Sequence, residues 1–120
     1  MFVILGIGTD IIEIDRIAKS IQHENFLNHV FTQAERDYCR NPEQFAARWA
    51  GKESVMKALG TGMRGGSFNE IEILPDSNGR PKVNLKGNFA KVAENIGASK
   101  IHISLSHEKK FATAVCVLES

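Results

Sequence analysis

The chain has 120 residues, 42% of them hydrophobic, and a formal net charge of +1. That length fits a single domain over residues 1–120 with an ordinary core, and the near-neutral charge gives little support to generic nucleic-acid binding. The apolar start has no basic region and meets Asp10 early, so it does not read as a signal peptide, and no apolar run approaches the roughly 20 residues that span a membrane. Cys39 and Cys116 lack metal-ligand spacing and fit a reducing, cytoplasmic setting, although two cysteines do not exclude a disulfide.

Residues 2–12 read as a strand, apolar on both faces as a central strand is. Residues 13–22 read as a helix with Ile14, Ile17 and Ile21 on one side. A short helix is expected from Thr32 to Arg40, with Thr32 as N-cap and Glu35 three residues on, a capping-box pattern. A long helix runs from Pro42, a favoured first-turn residue, to Leu59, and the glycine-rich loop from Gly60 to Gly66 ends it. Strands from Glu70 to Leu74 and from Lys82 to Leu85 flank the turn Asp76-Ser-Asn-Gly79. A helix from Phe89 to Ile96 is closed by Gly97, and a final hairpin joins Lys100–Ser106 to Phe111–Leu118. The order β-α-α-α-β-β-α-β-β predicts an α+β (mixed α/β) fold with a largely antiparallel sheet and one long central helix.

The long helix carries charges where a plain amphipathic helix would not. At about 100° per residue, Phe45, Trp49, Met56 and Leu59 share one arc, and Lys52 falls inside it. Glu53 sits at the edge of that arc, one turn before Lys57, with Ala46, Ala50 and Gly60 leaving room on the same side. Asp10 shares a strand face with Gly6 and Gly8, which clear the surface beside it. It reads either as the N-cap of the next helix or as a ligand. Glu53 and Lys57 read either as a surface pair or, with Asp10, as a site for a hard cation such as Mg²⁺. Lys52, Lys57 and Arg48 either reach water or meet a phosphate. His107, at a strand end, is a turn residue, a phosphate donor or an acid–base group, and Arg80 is a turn residue or a phosphate grip. The Gly60–Gly66 loop has no Walker or dinucleotide fingerprint.

Gly6-Ile-Gly-Thr-Asp-Ile-Ile-Glu-Ile-Asp-Arg-Ile17, Phe31-Thr-Gln-Ala-Glu35, Phe45-Ala-Ala-Arg-Trp-Ala-Gly-Lys-Glu53 and Lys57-Ala-Leu-Gly-Thr-Gly62 closely resemble the holo-acyl-carrier-protein synthases. So do Asn78-Gly-Arg-Pro81 and Ser104-Leu-Ser-His107. These are the short, single-domain 4′-phosphopantetheinyl transferases of bacterial fatty-acid synthesis. The resemblance covers essentially the whole chain, and its specificity lies in the pairing of D-x-x-x-x-x-R-I with W-x-x-K-E-x-x-x-K. Glu70 stands where an aspartate is expected, away from the proposed site.

The resemblance implies the phosphopantetheinyl transferase fold. It also implies transfer of 4′-phosphopantetheine from coenzyme A to a serine of apo acyl carrier protein, with release of adenosine 3′,5′-bisphosphate. Asp10 and Glu53 would then bind Mg²⁺, with Lys57 completing the catalytic set. Lys52, Lys57, Arg80, Pro81 and His107 would contact coenzyme A, and Glu53, directly or through a water, would take the serine proton. Arg16 matches a carrier-protein contact, and Lys19 could extend the same basic face toward an acidic carrier. The resemblance further implies a homotrimer whose active sites are shared between neighbouring subunits. The competing readings are a non-catalytic coenzyme A or nucleotide-binding module and a different Mg²⁺-dependent phosphoryl transferase.

Overall fold

The computed structural model describes residues 2–120. In chain order the elements are β1 (Ile4–Glu13), α1 (Ile14–Ser20), α2 (Glu24–Val30), α3 (Gln33–Tyr38), α4 (Pro42–Leu59), β2 (Ile71–Pro75), β3 (Pro81–Leu85), α5 (Gly87–Ile96), β4 (Lys100–His107) and β5 (Phe111–Glu119). The capping signals in the sequence act as expected. Thr32 Oγ1 accepts from the Glu35 N–H at 3.2 Å, and Glu35 Oε1 accepts from the Thr32 N–H at 3.0 Å, a reciprocal box. Asn41 caps α4 ahead of Pro42, and Gly60 ends it in the left-handed region, with φ 80°. Helix α2 adds to the expected order. It is seven residues long and has no side-chain cap, so it leaves little local signal; Phe26 holds it by stacking on Trp49 at 5.7 Å.

Every strand pair is antiparallel. β5 lies between β1 and β4, while β2 and β3 form a separate two-stranded ladder. The expectation that β1 is a central strand is therefore corrected: it is the sheet edge. Its apolar run is covered on one face only, and on the other Ile7 and Ile11 are 65% and 61% exposed.

Helix α4 lies across the covered face. It buries side chains around its whole circumference, as a helix enclosed by protein must, so the single apolar arc expected for it is also corrected. Near its start, Ala46, Ala47 and Ala50 pack with Ile12, Ile14 and Ala114; near its end, Val55, Met56 and Leu59 pack with Ile71, Phe89 and Leu118. Its approach to β1 is backbone on backbone. A Cβ on Gly6 would lie 2.0 Å from the Ala58 carbonyl oxygen, and one on Gly8 would lie 2.0 Å from that of Ser54. Only glycine permits this contact. The small residues thus make room for the helix rather than for a ligand, and Ala46 and Ala50 are wholly enclosed.

The outer edge of β2 is satisfied by side chains instead of another strand. The Ile73 N–H donates to Glu35 Oε2 at 2.8 Å, and the Ile73 carbonyl accepts from Arg48 Nε at 3.2 Å. The Ile71 carbonyl accepts from Lys52 Nζ. Lys52 also donates to Glu35 Oε1 at 2.7 Å and to the Phe68 carbonyl at 3.2 Å, with both charged residues fully buried. This corrects the assignment of Lys52 to coenzyme A: each of its ammonium protons already has an acceptor inside the fold. Burial pulls the Lys52 pKa down, and the Glu35 carboxylate opposes that pull.

Lys52→Met leaves the Glu35 carboxylate buried without its partner and is expected to lower the unfolding free energy by about 3–5 kcal/mol in a urea titration. Adding Glu35→Gln to Lys52→Met is expected to restore part of that loss. A single variant as stable as the parent would contradict a structural role for the pair.

Candidate active site

The glycine contact sets two functional elements side by side. Asp10 follows Gly6 and Gly8 in the row of β1 that faces α4, and Lys57 projects from the last turn of α4. Lys57 Nζ donates to the Thr9 carbonyl at 2.9 Å and to Asp10 Oδ1 at 3.2 Å. Lys57 therefore reaches across to the strand rather than back along its own helix to Glu53. Asp10 is not the cap of α1 either, because Glu13 occupies that position. Glu53, one turn before Lys57, is half-buried. Burial raises its pKa, the Asp10 charge raises it further, and Lys57 acts in the opposite direction. Two carboxylates and an ammonium group are thus brought together from β1 and α4. Asp10 and Lys57 border an open groove of about 480 Å³ whose other walls include Ile11, Ser104 and Val115.

Among the described residues, no group of three or more His, Cys, Asp and Glu side chains gathers to hold a metal ion. A cation here would rest on the two carboxylates, a donor set that suits Mg²⁺ when waters and phosphates complete its shell. Burial first, and then the Asp10 charge, disfavours the ionised form of Glu53, and both costs would be relieved by a cation held between the two carboxylates.

A second cavity, of about 250 Å³, joins Pro81 and His107 to Arg48, Tyr38 and Gln44. Arg48 was left open by the sequence, and Tyr38 and Gln44 were missed. Arg48 stands one turn before Lys52 on α4, and that spacing is its one local signal. Tyr38 carried no signal beyond ending a short helix. Arg80 lies in the exposed β2–β3 turn, where its N–H donates to Asp76 Oδ1 at 3.0 Å. The N–H groups of Asn78 and Arg80 hold the Asp76 carboxyl below the usual carboxylate range, which fixes the turn that carries Arg80 and Pro81.

Arg16 and Lys19 are both exposed on α1, whose Ile14 and Ile17 face the core. The two thiols are unpaired and buried; burial pushes Cys39 up to about 11 and Cys116 up to about 12, which leaves neither poised as a nucleophile.

A family model described as the 4′-phosphopantetheinyl transferase superfamily matches residues 6–116. A holo-acyl-carrier-protein synthase from Clostridium novyi is 48% identical, over 97% of this chain and 88% of the relative. One from Koribacter versatilis is 45% identical, over 97% of this chain and 98% of the relative. Among solved structures, a Bacillus anthracis holo-acyl-carrier-protein synthase in complex with coenzyme A (3′,5′-ADP) is 36% identical with a TM-score of 0.81, covering 98% of this chain and 97% of that one. Matches of this extent, over a chain whose Asp10, Glu53 and Lys57 meet in space, leave one assignment: the chain belongs to the 4′-phosphopantetheinyl transferase superfamily, as an enzyme of its holo-acyl-carrier-protein synthase branch.

Proposed function

We propose that the chain transfers the 4′-phosphopantetheine arm of coenzyme A to a serine of apo acyl carrier protein. The product released is adenosine 3′,5′-bisphosphate, and the reaction serves fatty-acid synthesis in the cytoplasm. The observation that carries this reading is the meeting of Asp10, Lys57 and Glu53, with Asp10 and Lys57 lining an open groove and Glu53 within reach of both charges. Asp10 and Glu53 would hold Mg²⁺, which when bound offsets charge on the pyrophosphate as the leaving group departs.

The chain's own groups supply the rest. Lys57, half-exposed above Asp10, adds a point charge for the phosphates. Glu53 accepts the serine proton as the serine oxygen bonds to the phosphorus bearing the pantetheine arm. The bond from that phosphorus to the nucleotide phosphate breaks, and the electron pair leaves with the bisphosphate. The cavity of Pro81, His107 and Arg48 takes the nucleotide half, with Arg80 on the adjoining turn. Arg16 and Lys19 present the exposed side of α1 to an acidic carrier, speeding encounter despite the small net charge.

We further propose a homotrimer. The open face of β1 exposes Ile7 and Ile11, an apolar surface that calls for cover. Ile11 also walls the groove beside Asp10, so a neighbour seated on this face would border Asp10 and Lys57.

Incubation with coenzyme A, Mg²⁺ and a competent apo carrier is expected to add one phosphopantetheine to the carrier mass. An unchanged mass would sink the proposal. Glu53→Gln is expected to cut the rate at least about 100-fold. Because folding raises the Glu53 pKa, its contribution to stability is full below the ordinary carboxylate pKa and is lost as pH rises through the raised value. Glu53→Gln should therefore melt slightly higher than the metal-free parent at neutral pH and no differently in acid. A variant that transfers at the parental rate would remove Glu53 from the chemistry.

Light scattering is expected to give the parent three times the chain mass. Ile7→Asp should yield monomers with sharply reduced transfer, and a parent that runs as a monomer would contradict the shared-site arrangement.

A further inference from the structure

Arg48 is only 7% exposed, yet among the described residues its side chain makes one hydrogen bond, from Nε to the Ile73 carbonyl, and no ion pair. The nearest candidates for a counter-charge are already committed. Glu35 is bound to Lys52, and Cys39, pushed up to about 11 chiefly by burial, stays a neutral thiol at physiological pH. The terminal nitrogens of Arg48 are not among the fully enclosed unpartnered atoms, and the residue walls the cavity of Pro81 and His107. A buried guanidinium without a carboxylate is completed by an anion from outside, and its planar fork suits a phosphate.

A guanidinium anchored at Nε alone can still swing. The Tyr38 ring lies against it, with Arg48 Cζ 4.8 Å from the ring centroid, in cation–π range. Tyr38 is the last residue of α3, with its ring partly exposed at the cavity wall. Glu35 locks α3 at its other end through the capping box and the Ile73 N–H. Ile73 thus gives its N–H to the helix bearing Tyr38 and its carbonyl to Arg48.

We propose that Tyr38 is a positioning residue, whose ring aims Arg48 at the terminal phosphomonoester of the nucleotide and thereby sets how strongly the enzyme prefers coenzyme A over 3′-dephospho-coenzyme A. This rests on the proposed transfer reaction and deepens its nucleotide half. The two coenzymes differ only in that phosphate, so the discrimination reads the Arg48 contact and leaves the carboxylate centre unaffected.

The test is steady-state transfer to the apo carrier with each coenzyme, for the parent, Tyr38→Leu and Tyr38→Phe. Tyr38→Leu is expected to raise the KM for coenzyme A about five- to tenfold with kcat nearly unchanged, leave the KM for the dephospho form as it was, and so shrink the preference. Tyr38→Phe keeps the ring and is expected to match the parent. Any one of three results overturns the proposal: equal KM increases for both coenzymes, a parental KM in Tyr38→Leu, or a Tyr38→Phe as impaired as Tyr38→Leu. Should Tyr38→Leu fail to fold, Tyr38→Met carries the same comparison. A parent that transfers nothing would defeat the transfer reading alone. Calorimetry with adenosine 3′,5′-bisphosphate against adenosine 5′-monophosphate would then still read the phosphate preference, and its persistence in Tyr38→Leu would overturn the role of Tyr38.

Discussion

Most of the molecule follows from the contact between the backbones of α4 and β1. With glycine at positions 6 and 8, the helix can lie so close to the strand that any Cβ would collide with the carbonyls of Ser54 and Ala58. Every other feature of the carboxylate centre depends on that separation. Asp10 is the next residue in the same row of β1, and Lys57 leaves α4 within one turn of Ser54, so an ion pair of 3.2 Å forms between elements 47 residues apart in sequence. Glu53 sits close enough to feel the Asp10 charge and half-buried enough for its pKa to rise. Moving the helix outward by the width of a methyl group would lengthen the Lys57–Asp10 pair and weaken the coupling of Glu53 to Asp10.

A second, polar framework supports the opposite side of α4. Glu35, Lys52 and Arg48 replace the missing neighbour strand of β2, satisfying Ile71 and Ile73 where a sheet edge would otherwise end. Burying this pair of charges offers little net stability compared with apolar packing, but losing one partner is costly. What the arrangement provides is position. Helix α3, strand β2 and the middle of α4 are locked to one another, and the cavity of Arg48, Pro81 and His107 opens where they meet. Lys52 thus acts from inside the fold, holding Glu35 and the edge of β2 in place.

The fold was largely legible because its signals are local. Pro42 and Gly60 mark the ends of α4, the Thr32–Glu35 box marks α3, and Asp76-Ser-Asn-Gly79 marks the β2–β3 turn. Helix α2 escaped because a seven-residue helix without a side-chain cap depends on the tertiary stack of Phe26 on Trp49. The edge position of β1 escaped because an apolar run looks the same whether its second face meets a helix or awaits another chain. In the site, Asp10, Glu53 and Lys57 could be nominated by type and spacing, but only the fold brings them together. Lys52 was misjudged for a related reason. Its place among Phe45, Trp49 and Met56 revealed burial, while its partner Glu35 lies on another helix 17 residues away. Arg48 and Tyr38 form a pair across two helices, a relation that no sequence period expresses.

The central claim is that helix–strand closeness builds the reactive centre, and Gly8→Ala tests it most directly. The added methyl group would meet the Ser54 carbonyl and push α4 away from Asp10. Carrier phosphopantetheinylation should be measured for Gly8→Ala at a temperature where it stays folded, beside Gly97→Ala, a change at the closing residue of α5 where a Cβ meets open space. The account predicts that Gly8→Ala loses transfer while Gly97→Ala, strained but remote, keeps it. Transfer by Gly8→Ala at the parental rate would contradict the account.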